Sequence, residues 1–139
     1  MFNKDLSELF HLLVPHAFER ICACGRFNPV GAWIHADGKV TPHVGRRAGK
    51  NPATGRYFIS IAKKFRLEAQ AGRIRAAAFC CSATVALPDN AGNSQAIRCS
   101  LEHKNGDAYD AFVPYAVNRH EKEIEFGPVF ATKRQPAYF

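Results

Sequence analysis

The stretch Ile97-Arg-Cys-Ser-Leu101-Glu-His-Lys-Asn105-Gly-Asp-Ala-Tyr109-Asp-Ala-Phe-Val-Pro-Tyr115 decides the fold. Two runs of alternating character flank an Asn-Gly step, the strongest local signal for a β-hairpin. A two-residue turn at Asn105-Gly106 would set Leu101 against Asp110, an apolar side chain against a charge. A three-residue loop of Lys104, Asn105 and Gly106, with Gly106 left-handed as in a bulge, sets Ile97 against Val113, Cys99 against Ala111 and Leu101 against Tyr109. Arg98, Ser100, Glu102, Asp110 and Phe112 then share the other face. A slip of one residue inverts every side chain, so the apolar pattern selects the second register.

The same argument applies upstream. Val30–His35 and Lys39–Val44 flank Ala36-Asp37-Gly38, and a three-residue loop pairs Ile34 with Val40, Ala32 with Pro42 and Val30 with Val44. Trp33, His35, Thr41 and His43 fall on the opposite face. Pro42 has no amide hydrogen to donate, which places its strand at a sheet edge.

Two helices are expected. Asp5-Leu-Ser-Glu8 has the form of a capping box with Asp5 in the cap position. Leu6, Leu9, Phe10, Leu13, Ala17, Phe18 and Ile21 follow at helical spacing, with Pro15 predicting a kink or two abutting helices and Gly25 a stop. The second helix runs from about Thr54 to Ala71, with an apolar stripe of Phe58, Ile61, Ala62, Phe65 and Ala69. Ile74–Leu87 reads as a strand. Its bulky face is Phe79, Cys81, Val85 and Leu87. Its small face is Ala78, Cys80, Ser82 and Thr84, which suits a helix lying close on one side. Ile124–Ala131 reads as a short extension of the sheet.

These elements predict an α+β fold in one domain, residues 1–139: a single antiparallel sheet of about five strands backed by two helices, in the order α-β-β-α-β-β-β. The order resembles profilin-like and roadblock-like domains, an analogy that does not fix function.

The cysteines are Cys22, Cys24, Cys80, Cys81 and Cys99. The odd number and the lack of paired Cys-x-x-Cys units argue against a disulfide scaffold and a zinc site, and for small buried thiols. Cys80 and Cys81 face opposite sides of their strand. No apolar run approaches the roughly 20 residues that cross a bilayer, and no basic stretch precedes an apolar one at the start, so the expectation is a cytosolic protein.

Net charge is +7. Lys39–Arg75 holds ten Lys/Arg against Glu68 alone, a net +9, and the remainder holds nine basic and eleven acidic residues, a net −2. One segment therefore supplies the basic character. Arg46, Arg47, Lys50, Arg56, Lys63, Lys64 and Arg66 are the candidate contacts for a polyanion or nucleic acid, and a solvated helix face with its loop is the simpler alternative. No aromatic ladder accompanies them for base stacking.

Several activities are disfavoured. Phe27-Asn-Pro-Val-Gly-Ala32 followed by Asp37-Gly38 resembles the opening of nucleoside deaminases, but the His-x-Glu and Pro-Cys-x-x-Cys motifs that hold their zinc do not occur. Gly45-Arg-Arg-Ala-Gly-Lys50-Asn51 approximates a phosphate-binding loop with one residue too few between its glycines and Asn51 where Ser or Thr would hold magnesium. His35 and His43 lie four residues apart along the first hairpin, roughly 13 Å at about 3.3 Å per residue. Cys99 and His103 share a strand face with Leu101 between them, without local context for a catalytic pair.

Pro29-Val-Gly-Ala32 with Asp37-Gly38, Ala96-Ile97, Leu101-Glu102-His103-x-x-Gly106-x-Ala108, Pro114-Tyr115 and Phe126-Gly-Pro-Val-Phe-Ala131 together resemble a bacterial family of small hypothetical proteins. The resemblance implies a bacterial, single-domain protein and carries over no functional residue, cofactor or metal. The expected function is a non-enzymatic binding or protein-interaction domain whose partner is another protein or a second copy, met through a sheet edge or a helix face. Polyanion binding is the alternative. An enzyme whose site assembles only in three dimensions is the third reading.

Overall fold

The computed structural model describes residues 2–44, 54–88, 92–118 and 123–139. Their elements are α1 (Lys4–Cys24), β1 (Val30–His35), β2 (Val40–Val44), α2 (Thr54–Gln70), β3 (Ile74–Ala86), β4 (Asn93–His103), β5 (Ala108–Asn118), β6 (Glu123–Phe126) and β7 (Phe130–Lys133). The strands form one antiparallel sheet in the order β2-β1-β3-β4-β5-β6, and β7 also pairs with β5. The fold is α+β, with seven strands rather than five because the stretch after β5 supplies two.

Both hairpin registers are those the apolar pattern selects. Ile97 faces Val113, Cys99 faces Ala111 and Leu101 faces Tyr109, while Val30, Ala32 and Ile34 face Val44, Pro42 and Val40. Gly38 and Gly106 have φ of 96° and 101°, the left-handed conformation that the three-residue loops require.

The helices take opposite faces of the sheet. α1 buries Leu6, Leu9, Leu13, Val14, Ala17 and Ile21 against Ala32, Ala76, Ala78, Cys80, Cys99 and Ala111. These short side chains let the helix approach closely, as the small face of β3 suggested. α2 buries Ile61 and Phe65 on the other face, against Trp33, Ala77, Phe79 and Tyr138. Gly31 lies beneath α2, where a Cβ would come within 2.5 Å of Ile61 Cδ1. The side chain of Phe58 lies outside the described residues.

Two expectations for α1 are corrected. Its cap is Asn3, whose side chain accepts from the Leu6 N–H at 2.9 Å, and Asp5 lies in the first turn. Asp5 is withdrawn from capping by long-range partners, Arg75 and His103. Of the two outcomes expected at Pro15, the second is excluded: the chain continues through it as one helix and not as two abutting ones. A mid-helix proline costs about 3 kcal/mol. Burial of Leu13, Val14 and Ala17 around it offsets that cost.

Both sheet edges carry features that discourage strand addition. Pro42 sits in the edge strand β2. At the far edge Phe126 opposes Tyr115 and Phe130 opposes Phe112, so residues 127–129 face only Val113 and Pro114. That extra residue is a β-bulge, anchored by the Gly127 N–H to the Pro114 carbonyl at 2.8 Å.

Candidate interaction surface

Three assemblies of polar side chains stand out among the described residues. The first ties the start of α1 to the sheet. Asp5 accepts from Arg75 Nη2 at 3.0 Å and from His103 Nε2 at 2.9 Å. Burial alone would raise Asp5, but these two partners outweigh it and hold the carboxyl below its ordinary range. His103 Nδ1 accepts from the Asn105 N–H at 3.1 Å, so both ring nitrogens are engaged and neither faces a nucleophile. Cys99 lies in the core under α1, with Leu101 between it and His103. The structure does not bring this pair into a catalytic arrangement.

The second assembly lies on the α2 side. Arg98, Ser100, Glu102 and Asp110 share a face there, as the hairpin register implies. Glu102 has no exposed surface and accepts from Arg134 Nη1 at 2.7 Å and from the N–H groups of Ala137 and Tyr138 at 2.8 and 2.9 Å. Asp110 accepts from Arg134 Nε at 3.0 Å, Ser100 Oγ at 2.7 Å and Arg98 Nη2 at 3.2 Å. Burial works against the charge of Arg134, and Glu102 and Asp110 more than compensate, raising its pKa. Burial and the adjacent Glu102 push the Tyr138 hydroxyl up to about 12. Burial also raises the Cys81 thiol despite the nearby Arg98, so the thiol is not activated. These carboxylates hold the segment 134–139 against the sheet. Sequence placed Arg98, Ser100, Glu102 and Asp110 on one face, but the role of Arg134 had no local signal.

The third assembly is Trp33, His35 and Thr41. Trp33 Nε1 donates to His35 Nε2 at 3.1 Å, and Thr41 Oγ1 lies 2.7 Å from the same nitrogen. Among the described residues, no cluster of three or more His, Cys, Asp or Glu could hold a metal ion. No helix described is long and apolar enough to cross a membrane.

Of the seven candidate polyanion contacts, the side chains of three are among the described residues. Lys63, Lys64 and Arg66 are exposed on α2. Lys64 Nζ lies 5.1 Å from the centre of a Trp33 ring, and Arg66 Nε donates to the Ala137 carbonyl at 3.4 Å. Arg73 pairs with Glu68, and Arg75 turns to Asp5 on the α1 side. Arg46, Arg47 and Lys50 lie outside the described residues, as does the side chain of Arg56.

The chain matches no family model, no curated protein and no solved structure.

The end of the sheet around the bulge has a different character. Five large hydrophobic side chains are exposed among the described residues, and three of them belong to β5 and the stretch after it: Val117 at 48% and Phe126 at 37% on the α1 side, and Val129 at 50% on the other. Phe126 rests on Phe18 of α1 with ring centres 4.0 Å apart. On the other side of the sheet a cleft of about 360 Å³ is lined by Leu87, Pro88, Pro114, Gly127, Pro128, Val129 and Phe130. The bulge makes this cleft: the extra residue swings Pro128 and Val129 out of the strand line and lets Phe130 stack on Phe112, ring centres 5.2 Å apart. Sequence offered one signal for it, the Gly127-Pro128 pair interrupting an apolar run.

Proposed function

We propose that the protein is an interaction module that docks a partner protein at the bulge end of its sheet, inserting an apolar side chain of that partner into the cleft. The observation supporting this reading is an apolar cleft walled by Pro88, Pro114 and Pro128, with Val129 half exposed in its lining. An apolar concavity with an exposed apolar side chain in its lining is typical of binding surfaces. The carboxylates of Asp5, Glu102 and Asp110 are held by Arg75, His103, Arg134 and Arg98, which favours a binding role over chemistry. A cytosolic setting accords with this reading.

The test compares the wild-type protein with Val129→Asp and Leu87→Asp, both in the cleft lining, as baits in extract of the source cells, after checking by thermal melting that all three are folded. A partner retained by the wild type and lost from both variants supports the proposal. Equal retention by all three refutes it.

A second reading, polyanion contact, draws on the exposed row Lys63, Lys64 and Arg66 in α2. Salt-dependent binding to duplex nucleic acid tests it.

A further inference from the structure

Cys80 and Cys99 lie directly opposite each other on β3 and β4, the two central strands. The hydrogen bonds at the ends of this ladder identify their rung. The Lys104 N–H donates to the Arg75 carbonyl at 2.9 Å, and the Leu87 N–H donates to the Gly92 carbonyl at 2.7 Å. Hydrogen-bonded rungs therefore fall on the odd-numbered residues of β3. Cys80 stands on a rung without them, where strands bring opposite Cα atoms to about 4.5 Å. A disulfide spans Cα separations of about 4.4–6.8 Å, so this rung accepts one with little backbone movement. Both residues lack exposed surface.

The remaining cysteines do not compete for this pairing. Cys81 faces the opposite side of the sheet, toward α2. Cys22 and Cys24 are exposed at the end of α1, two residues apart, where helical side chains do not face each other.

We propose that Cys80 and Cys99 are a modification site, a dithiol that hydrogen peroxide converts to a disulfide stapling the two central strands. One thiol loses its proton and its thiolate attacks the O–O bond, giving a sulfenic acid and a hydroxide that takes up the proton as water. The sulfur of the second thiol displaces the sulfenic oxygen, which leaves as a second water as the S–S bond forms. Two electrons pass from the sulfurs to peroxide. The oxidant must be small and uncharged, because both sulfurs lie beneath α1. Burial disfavours the Cys80 thiolate and makes the first step slow. Loosening of α1 from the sheet then sets the rate.

The test treats the folded protein with hydrogen peroxide, removes the oxidant with catalase, unfolds, alkylates and maps the peptides. The expected result is a peptide containing Cys80 linked to one containing Cys99, with two fewer thiols alkylated and both restored by dithiothreitol. Sub-denaturing urea should speed the linkage. Cys22→Ser with Cys24→Ser should leave it intact, and Cys99→Ala should abolish it. Should Cys99→Ala fail to fold, the wild-type map decides alone. Full alkylation of both central thiols after exposure that oxidises Cys22 and Cys24 overturns the proposal, as does Cys80 sulfinic acid without the link.

Discussion

Replacing Glu102 by Gln tests whether a buried carboxylate holds the segment after β7 in place. The carboxylate has no exposed surface and accepts three donors, Arg134 Nη1 and the N–H groups of Ala137 and Tyr138. Gln preserves the shape and one acceptor oxygen, which can still receive the two backbone donors. Its amide nitrogen then meets Arg134, donor against donor. Removing one partner of a buried pair typically costs about 3–5 kcal/mol, because the other charge stays behind uncompensated. Arg134 keeps Asp110 at 3.0 Å and its side chain is 21% exposed, so part of its charge is still served. The expected loss therefore lies at or just below the bottom of that range, about 2–3 kcal/mol. Glu102→Ala should cost more, since it also orphans the buried Tyr138 N–H, at about 1–3 kcal/mol, and the partly exposed Ala137 N–H at less.

Urea unfolding measures the stability, and amide exchange at Ala137 and Tyr138 reports the local contact. Protection of both amides should fall further in Glu102→Ala than in Glu102→Gln. The double variant Glu102→Met with Arg134→Met should lose less than the sum of the singles, because it removes both charges together. A Glu102→Gln protein within about 0.5 kcal/mol of wild type, with both amides still protected, would refute the reasoning.

Three further outcomes are expected. Phe65→Ala should cost about 3–5 kcal/mol in a denaturant titration, because Phe65 has no exposed surface between the α2 stripe and Tyr138, while exposed Lys63→Ala should stay within roughly 0.5 kcal/mol. Equal effects would mean that the helix faces are misassigned. The depressed pKa of Asp5 means that its pairing stabilises the fold above the ordinary value of 3.8 and that this contribution is lost as pH falls through the lower folded value. The stability gap between wild type and Asp5→Asn should thus be level near neutrality and close in acid, and a gap unchanged down to pH 2 would exclude Asp5 as its source. If the basic row of α2 and its loop contact nucleic acid, log affinity should fall with log salt by about 0.9 per duplex phosphate neutralised, and Ala at Arg46, Arg47, Lys63 and Lys64 should flatten that slope with little change in stability. Absence of binding at low salt would end the polyanion reading.

Local physics made the two hairpins and the α2 stripe legible. Strand alternation has a period of two, so the choice between two loop lengths is a choice between burying and exposing a whole set of side chains, and Gly38 and Gly106 stand where positive φ is required. The stripe of Ile61 and Phe65 likewise follows from helical spacing alone. The N-cap was less legible: Asp5 fits the capping pattern, but Arg75 and His103, about 70 and 100 residues away, recruit it for another contact. The site was only half legible. Register put Arg98, Ser100, Glu102 and Asp110 on one face, an arrangement that reads as a solvent-facing polar surface. Whether that face meets water depends on Arg134 and Tyr138, which reach it through the course of the chain after β7. The cleft depends on a single extra residue at 127–129, whose opposition to Val113 and Pro114 exists only once β6 and β7 both pair with β5. Alternation and turn chemistry are properties of neighbouring residues and can be read in order. Burial of a charge, the phase of a bulge and the side of the sheet that each helix covers depend on partners distant in sequence, so only the tertiary structure decides them.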